Sequence, residues 1–212
     1  METQKSGERT LLASILLSSP GPLVLGTALF FGRSSTQIAD FVRRTSELAA
    51  IFVSWIVFRR IRKEEEISFE HKEKLEKIAN LSVGIAMCLS GTAMTLIALL
   101  SENTEKGNVI PALVIALLGV ITNSWFWIRY TNLGRSLKDN VLTVQSKLYR
   151  AKTFVDLCVT AALFVVVIKP SSSVAEITDL AGSLIVSLYL FVTGIAVIAG
   201  KSSVVKNQIT KE

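Results

Sequence analysis

The chain has 212 residues, 50% of them apolar, with a mean hydropathy of +0.49 and a formal net charge of +6 at pH 7. That is too hydrophobic for an ordinary soluble domain, so soluble enzymes and nucleic-acid-binding modules are set aside. The positive charge is explained below by membrane topology, and no nucleic-acid partner is expected.

A hydrocarbon core of about 30 Å needs roughly 20 helical residues. Six apolar runs reach that length: about 10–32, 36–58, 78–100, 108–128, 149–168 and 178–200. They fill most of the chain and predict an all-α polytopic membrane protein, a single transmembrane domain over 1–212 folded as a six-helix bundle. The first run is preceded by Lys5 and Arg9, in partial likeness to a signal peptide. It has no clear small-residue cleavage site, and Pro20 and Pro22 interrupt it, so it is read as a kinked first span.

The second run differs from the rest. Asp40, Arg43, Arg44 and Glu47 lie inside it, before it ends in the basic stretch "FRRIRK". The connection "KEEEISFEHKEKLEKIAN", Lys63 to Asn80, is charged and helix-forming, and predicts a third helix extended beyond the membrane. It carries His71, the single histidine. In the third run Gly84, Ser90, Gly91, Thr92 and Thr95 read as close helix-packing positions. The fourth run holds Thr122 and Asn123 and ends in Trp125, Trp127 and Tyr130, which read as an interfacial aromatic belt. The fifth carries Lys152 and Asp156. The sixth carries Gly182, Ser183, Ser187, Thr193 and Gly194, again packing positions. Cys88 and Cys158 are isolated in apolar runs, which predicts small packing residues, neither disulfide nor metal ligands.

Lys and Arg counts orient the bundle. Arg59, Arg60, Arg62, Lys63, Lys72, Lys74 and Lys77 lie between the second and third runs, and Arg129, Arg135, Lys138, Lys147 and Arg150 between the fourth and fifth. The other connections hold Arg33, Lys106 and Lys169. This alternation predicts both termini in the cytoplasm and an integral protein of the cell membrane.

Ionisable groups in lipid are costly, so they face the bundle interior and find partners. Asp40, Arg43 and Glu47 share one face of their helix, with Arg44 about 100° round; Lys152 and Asp156 share one face of theirs. Glu47 lies thirteen residues from Ser34 and Asp156 thirteen from Lys169, taken as the outer ends of their helices, a matching depth of roughly 20 Å. Two acids, each with a cation one turn away, predict one buried cluster. Asn123 lies at nearly that depth and joins the candidates. The cluster reads equally as a salt-bridge network locking two helices and as an ion site.

This layout resembles the cation diffusion facilitator family. Ser34, Asp40, Arg43 and Glu47 fall without a gap on a family pattern of the form S-x-x-x-x-x-D-x-x-[HD]-x-x-x-D. "FRRIRK" resembles the family's exit from the second helix, "EHKEKLEKIA" its following segment, "RYTNLGRSL" its exit from the fourth, and "SLYLFVTGIAVI" its sixth helix. The resemblance implies secondary transport of a cation, proton antiport, homodimers and a tetrahedral site of His or Asp pairs on the second and fifth helices. Here those pairs become Arg43 with Glu47 and Lys152 with Asp156; a register shifted by one turn would place Leu148 and Lys152 on the fifth helix instead. Charged Lys and Arg offer no lone pair, so the metal site reads as degenerate, its positions taken by Arg/Glu and Lys/Asp pairs and rewired into inter-helix ion pairs. No bound metal is expected; any that bound would use Asp40, Glu47 and Asp156. The chain ends twelve residues after Gly200, so the family's cytoplasmic C-terminal domain is not expected.

The transport-site candidates are therefore Asp40, Arg43, Glu47, Asn123, Lys152 and Asp156. A cation is expected as substrate and no cofactor is required. The alternative is a non-transporting paralogue acting as a structural or partner subunit in a membrane complex. An enzyme is not expected: there is no Gly-x-Ser-x-Gly, no histidine cluster and no catalytic dyad of familiar spacing.

Overall fold

Proline decides the first break in the chain. In the computed structural model α1 (Glu2–Ser18) ends just before Pro20, and α2 (Pro20–Phe31) restarts on it. Proline lacks a backbone N–H and is best tolerated at the first helical position. The expected kinked first span over 10–32 thus breaks at the single residue Ser19 into α1 and α2 and stays one apolar segment, Lys5–Thr27. Two backbone bonds bridge the break, Ser19 N to Ile15 O at 2.9 Å and Leu23 N to Ser19 O at 3.4 Å.

The structure describes residues 2–31, 35–63, 68–100, 110–168 and 173–200. Ser34, Arg33, Lys106, Lys169 and part of the "KEEEISFEHKEKLEKIAN" connection lie outside them. The remaining helices are α3 (Ser35–Lys63), α4 (Phe69–Leu100), α5 (Ile110–Leu137), α6 (Asn140–Ile168) and α7 (Ser173–Ile198). Among the described residues no strand occurs. Among the described residues four segments are long and apolar enough to cross a membrane: Lys5–Thr27, Phe69–Leu99, Leu113–Leu137 and Leu180–Ile198. Large apolar side chains on their outer faces, such as Ile121, Ile185 and Leu188, are two-thirds exposed. An apolar exterior on long apolar helices belongs against lipid, and the chain is an integral membrane protein.

Contacts run α1 to α3, α3 to α4, α4 to α7, α7 to α6, α6 to α5 and α5 back to α1, which closes a ring. The helix α2 lies against α3, and α4 and α3 both touch α6 across the ring. At the basic end, α5 turns into α6 within two residues. Lys138 takes a left-handed conformation, φ 46°. Asp139 N donates to Gly134 O at 3.0 Å and Lys138 N to Arg135 O at 3.3 Å, the bonds of a Schellman C-cap. Asp139 then caps α6, its Oδ1 accepting from Leu142 N at 3.1 Å. Its other oxygen accepts from Arg62 Nη2 at 3.2 Å, which ties the end of α3 to this turn.

One expected aromatic position is overturned. Tyr130 is fully buried, its hydroxyl 2.7 Å from Ser14 Oγ and its ring stacked near Phe126 and Tyr149. A belt residue faces lipid headgroups, but here α1 covers the α5 face that carries Tyr130. Of the three aromatics, Trp125 is the exposed one, at 54%. Cys88 and Cys158 are free thiols.

The α4–α7 seam depends on missing side chains. A Cβ at Gly84 would lie 2.5 Å from Ile198 Cγ1 and 2.9 Å from the Gly194 carbonyl oxygen. The second neighbour is backbone and cannot swing away. Gly84→Ala is expected to cost about 1–3 kcal/mol through overpacking. Thermal unfolding in detergent should register a clear fall in Tm, and an unchanged Tm would contradict this packing.

Candidate functional site

Two polar crosslinks fix how α3 lies against α6. Lys152 Nζ stands 3.3 Å from Glu47 Oε2. Two turns along, Gln145 Nε2 donates to Ser54 Oγ at 2.7 Å. Both steps are seven residues, in opposite directions along the two helices, so one antiparallel register satisfies both. Glu47 is therefore level with Lys152, and Asp156 stands one turn further on, level with Arg43. Counting from the assumed outer ends put Glu47 and Asp156 at the same depth, which is one turn off. The count assumed that both helices start at one height, whereas side-chain contacts set the register.

Only part of the cluster pairs between helices. Arg43 binds Asp40, with Nε and Nη2 at 3.0 and 2.7 Å from Oδ1. Arg44 Nε donates to Asp40 Oδ2 at 2.9 Å. Side chains on a helix lean toward its N-terminus, which carries Arg43 and Arg44 back to the turn that holds Asp40. Glu47 then takes its cation from across the cavity. Among the described residues the ion pairs here are Arg43–Asp40 and Arg44–Asp40 within α3 and Lys152–Glu47 between α6 and α3, so one pair links the two helices as expected.

Glu47 is buried, at 6% exposure, and receives a second bond from Ser90 Oγ on α4 at 2.9 Å. Lys152 also sits over the Tyr149 ring, 5.0 Å from its centroid, where the ring's negative face attracts the ammonium. Asp156 is treated differently. Its Oδ2 accepts from Asn123 Nδ2 on α5 at 2.6 Å, and among the described residues no cation lies within ion-pair distance of it. Gly119 makes this approach feasible, since a Cβ there would lie 2.8 Å from Oδ2 of Asp156.

All six candidates, Asp40, Arg43, Glu47, Asn123, Lys152 and Asp156, line one cavity of about 770 Å³ to which every helix from α1 to α7 contributes. Arg44 lines it too. Three carboxylates and three cations make its formal charge zero. Among the described residues no three His, Cys, Asp or Glu side chains come together as a metal site. The carboxylate and amide oxygens that face the cavity suit hard cations better than the thiolate and imidazole sets typical of zinc, and the Met94 sulfur beside them is engaged by Arg43 at 3.8 Å.

Sequence reading treated Ser90 as a packing residue and passed over Tyr149. The signal for Tyr149 was available, because it precedes Lys152 by three residues and shares its face. The role of Ser90 depends on the α3–α4 contact and left no mark in the sequence.

The Glu47–Lys152 pair should behave as a buried unit. Glu47→Met or Lys152→Met alone leaves one charge without its partner, at about 3–5 kcal/mol. Replacing both with Met should cost less than either single change. Tm values of the four proteins in detergent form the cycle that checks this; additive losses would mean that the two side chains do not interact.

The family model of the cation efflux transmembrane domain matches residues 11–204. No curated protein matches the chain significantly. The match spans all seven helices in part or whole, including every charged residue of the cavity, and the chain belongs to the cation efflux transmembrane domain family.

Proposed function

We propose that this protein is a secondary transporter that moves a hard cation through the cavity among α3, α5 and α6 in exchange for protons. The observation that carries this reading is Asp156. It is an anion in a shared cavity with only a neutral partner, Asn123, while Asp40 and Glu47 are already paired with cations. Asp156 would bind the incoming ion, with the Asn123 carbonyl oxygen beside it. Glu47 lies one turn away and would join once Lys152 withdraws. The Lys152 ammonium acts as an internal cation that competes with substrate for Glu47. Loss of its proton would free Glu47 and offset one unit of incoming charge. Asp40 stays closed by two arginines and tunes the field.

On this reading the basic end faces the cytoplasm of the cell membrane, the protein catalyses no chemical reaction, and it needs no cofactor. Homodimerisation accords with the family resemblance. A second reading is a non-transporting paralogue, a partner subunit within a membrane complex. It is favoured by the zero formal charge of the cavity, which needs no metal to balance it.

The test is flux into proteoliposomes under a pH gradient, with manganese, magnesium and zinc compared. Uptake of manganese or magnesium above zinc is expected, falling at least tenfold in Asp156→Asn. Lys152→Gln should raise equilibrium cation binding, measured by calorimetry, because Glu47 loses its competitor. Absence of flux and of binding for every ion, in a protein still destabilised by loss of Glu47, would replace transport with the partner-subunit reading.

A further inference from the structure

A second cleft opens between α1 and α5 on the outside of the ring, with a volume of about 590 Å³. Lys5 and Arg9 line it from α1, one turn apart, and Arg129 from α5. Among the described residues Lys5 and Arg9 have no ion-pair partner, and Arg129 bonds to a neutral group, its Nη2 donating to Ser6 Oγ at 2.6 Å. The nearest acid along α1, Glu8, is taken up by Arg59 of α3 at 3.7 Å. Three cations therefore border one cleft with no carboxylate among its lining residues.

The cleft is graded along its length. The Arg129–Ser6 bond puts Arg129 level with the start of the apolar segment Lys5–Thr27. Moving inward along α1, Lys5 and Arg9 give way to Ala13; moving the same way along α5, Arg129 gives way to Trp125. Both walls thus run from cationic to apolar in one direction, and exposed Leu16, one turn on from Ala13, continues the apolar surface. A free phosphate would use only the first part of this gradient. A lipid uses both, with a phosphodiester among the cations and acyl chain against the tryptophan and alanine.

We infer that the α1–α5 cleft is a binding site for an anionic phospholipid, its headgroup phosphate held by Lys5, Arg9 and Arg129. The Ser6 hydroxyl accepts from Arg129, and its own hydrogen can serve a phosphate oxygen. Basic pockets between membrane helices select anionic headgroups in this way, at the helix ends where Lys and Arg gather.

Native mass spectrometry of the full chain in detergent tests the site, with phosphatidylglycerol and phosphatidylcholine of the same acyl chains as probes. Wild type should retain phosphatidylglycerol in clear preference to phosphatidylcholine. Lys5→Gln/Arg9→Gln removes two cations that bond to no other described side chain, and should weaken phosphatidylglycerol binding roughly twenty-five-fold at about fivefold per cation. Phosphatidylcholine binding should be unchanged, which separates loss of the site from loss of the fold. The matched control Arg135→Gln/Lys138→Gln, with the same charge change at the basic end but outside the cleft, should keep the preference. Equal loss in both double variants would overturn the site in favour of a diffuse basic surface. Inorganic phosphate raising Tm as much as phosphatidylglycerol does would overturn the lipid assignment in favour of a soluble anion.

Discussion

A charge inside a membrane bundle must meet an opposite charge or a dipole, and most of this structure's interior is arranged around that requirement. The desolvation cost is large enough that an ion without a partner would outweigh several apolar contacts. Glu47 meets it with Lys152 from α6 and Ser90 from α4, so one carboxylate joins three helices. Asp40 meets it within α3, through two arginines that lean back by one turn. The cross-ring bond has a structural consequence that the local one lacks. Together with Gln145 and Ser54, it sets the sliding position of α3 on α6 and hence which residues share the cavity.

The choice of partners sets what the cavity can do. Had Arg43 taken Glu47 and Lys152 taken Asp156, both acids level with the centre would be satisfied and the cavity would hold no open anion. With Asp40 absorbing both arginines, one cation is left for two carboxylates. Lys152 goes to Glu47, and Asp156 is left with an amide. The same six charges sum to zero either way, so net charge alone carries no information about function here. What matters is where the unpaired anion stands. It stands beside Gly119, at a point where the α5 backbone approaches closely enough for Asn123 to reach it.

Much of this was written in the sequence at low resolution. Apolar runs and basic connections gave the helical class, the membrane and the location of the charges, because hydrophobic length and Lys/Arg bias act locally. The faces of α3 and α6 were also legible, since helical periodicity follows from spacing. Register was not. A one-turn slide between α3 and α6 leaves every periodicity intact, and depth counted from assumed helix ends carries an error of that size. An ion pair between the two helices was legible and Lys152–Glu47 supplies it, but which cation each acid takes was not, because the lean of helical side chains toward the N-terminus favours Asp40 as the partner of Arg43. Tyr130 failed for a different reason. A tyrosine at a helix end reads as interfacial unless another helix covers it, and the covering by α1 is a tertiary fact. Pro20 was correctly placed as an interruption, yet whether a proline kinks a helix or divides it depends on the backbone around it.

The helix seams differ in what it would take to part them. The α4–α7 contact is close, with backbone meeting backbone at Gly84 and Gly194 and two short hydroxyl bonds, Thr95 with Ser187 at 2.6 Å and Ser187 to the Gly91 carbonyl at 3.0 Å. Separating it would open a void that neither lipid nor water fills well, so those two helices are suited to move as one body. The α3–α6 contact is sparse and polar, made of an ion pair and an amide–hydroxyl bond across a cavity. Water can replace each of those bonds at modest cost, because it supplies the same donors and acceptors. Opening at this sparse seam is therefore cheaper than at the glycine-packed α4–α7 seam, and it is the seam that the cavity lies along. At the basic end one further bond would have to yield, Arg62 to Asp139, and it too is polar and partly exposed. A bundle with glycine-packed walls and a hydratable seam has a built-in direction of opening, and the groups that hold the seam shut are the charges that line the cavity.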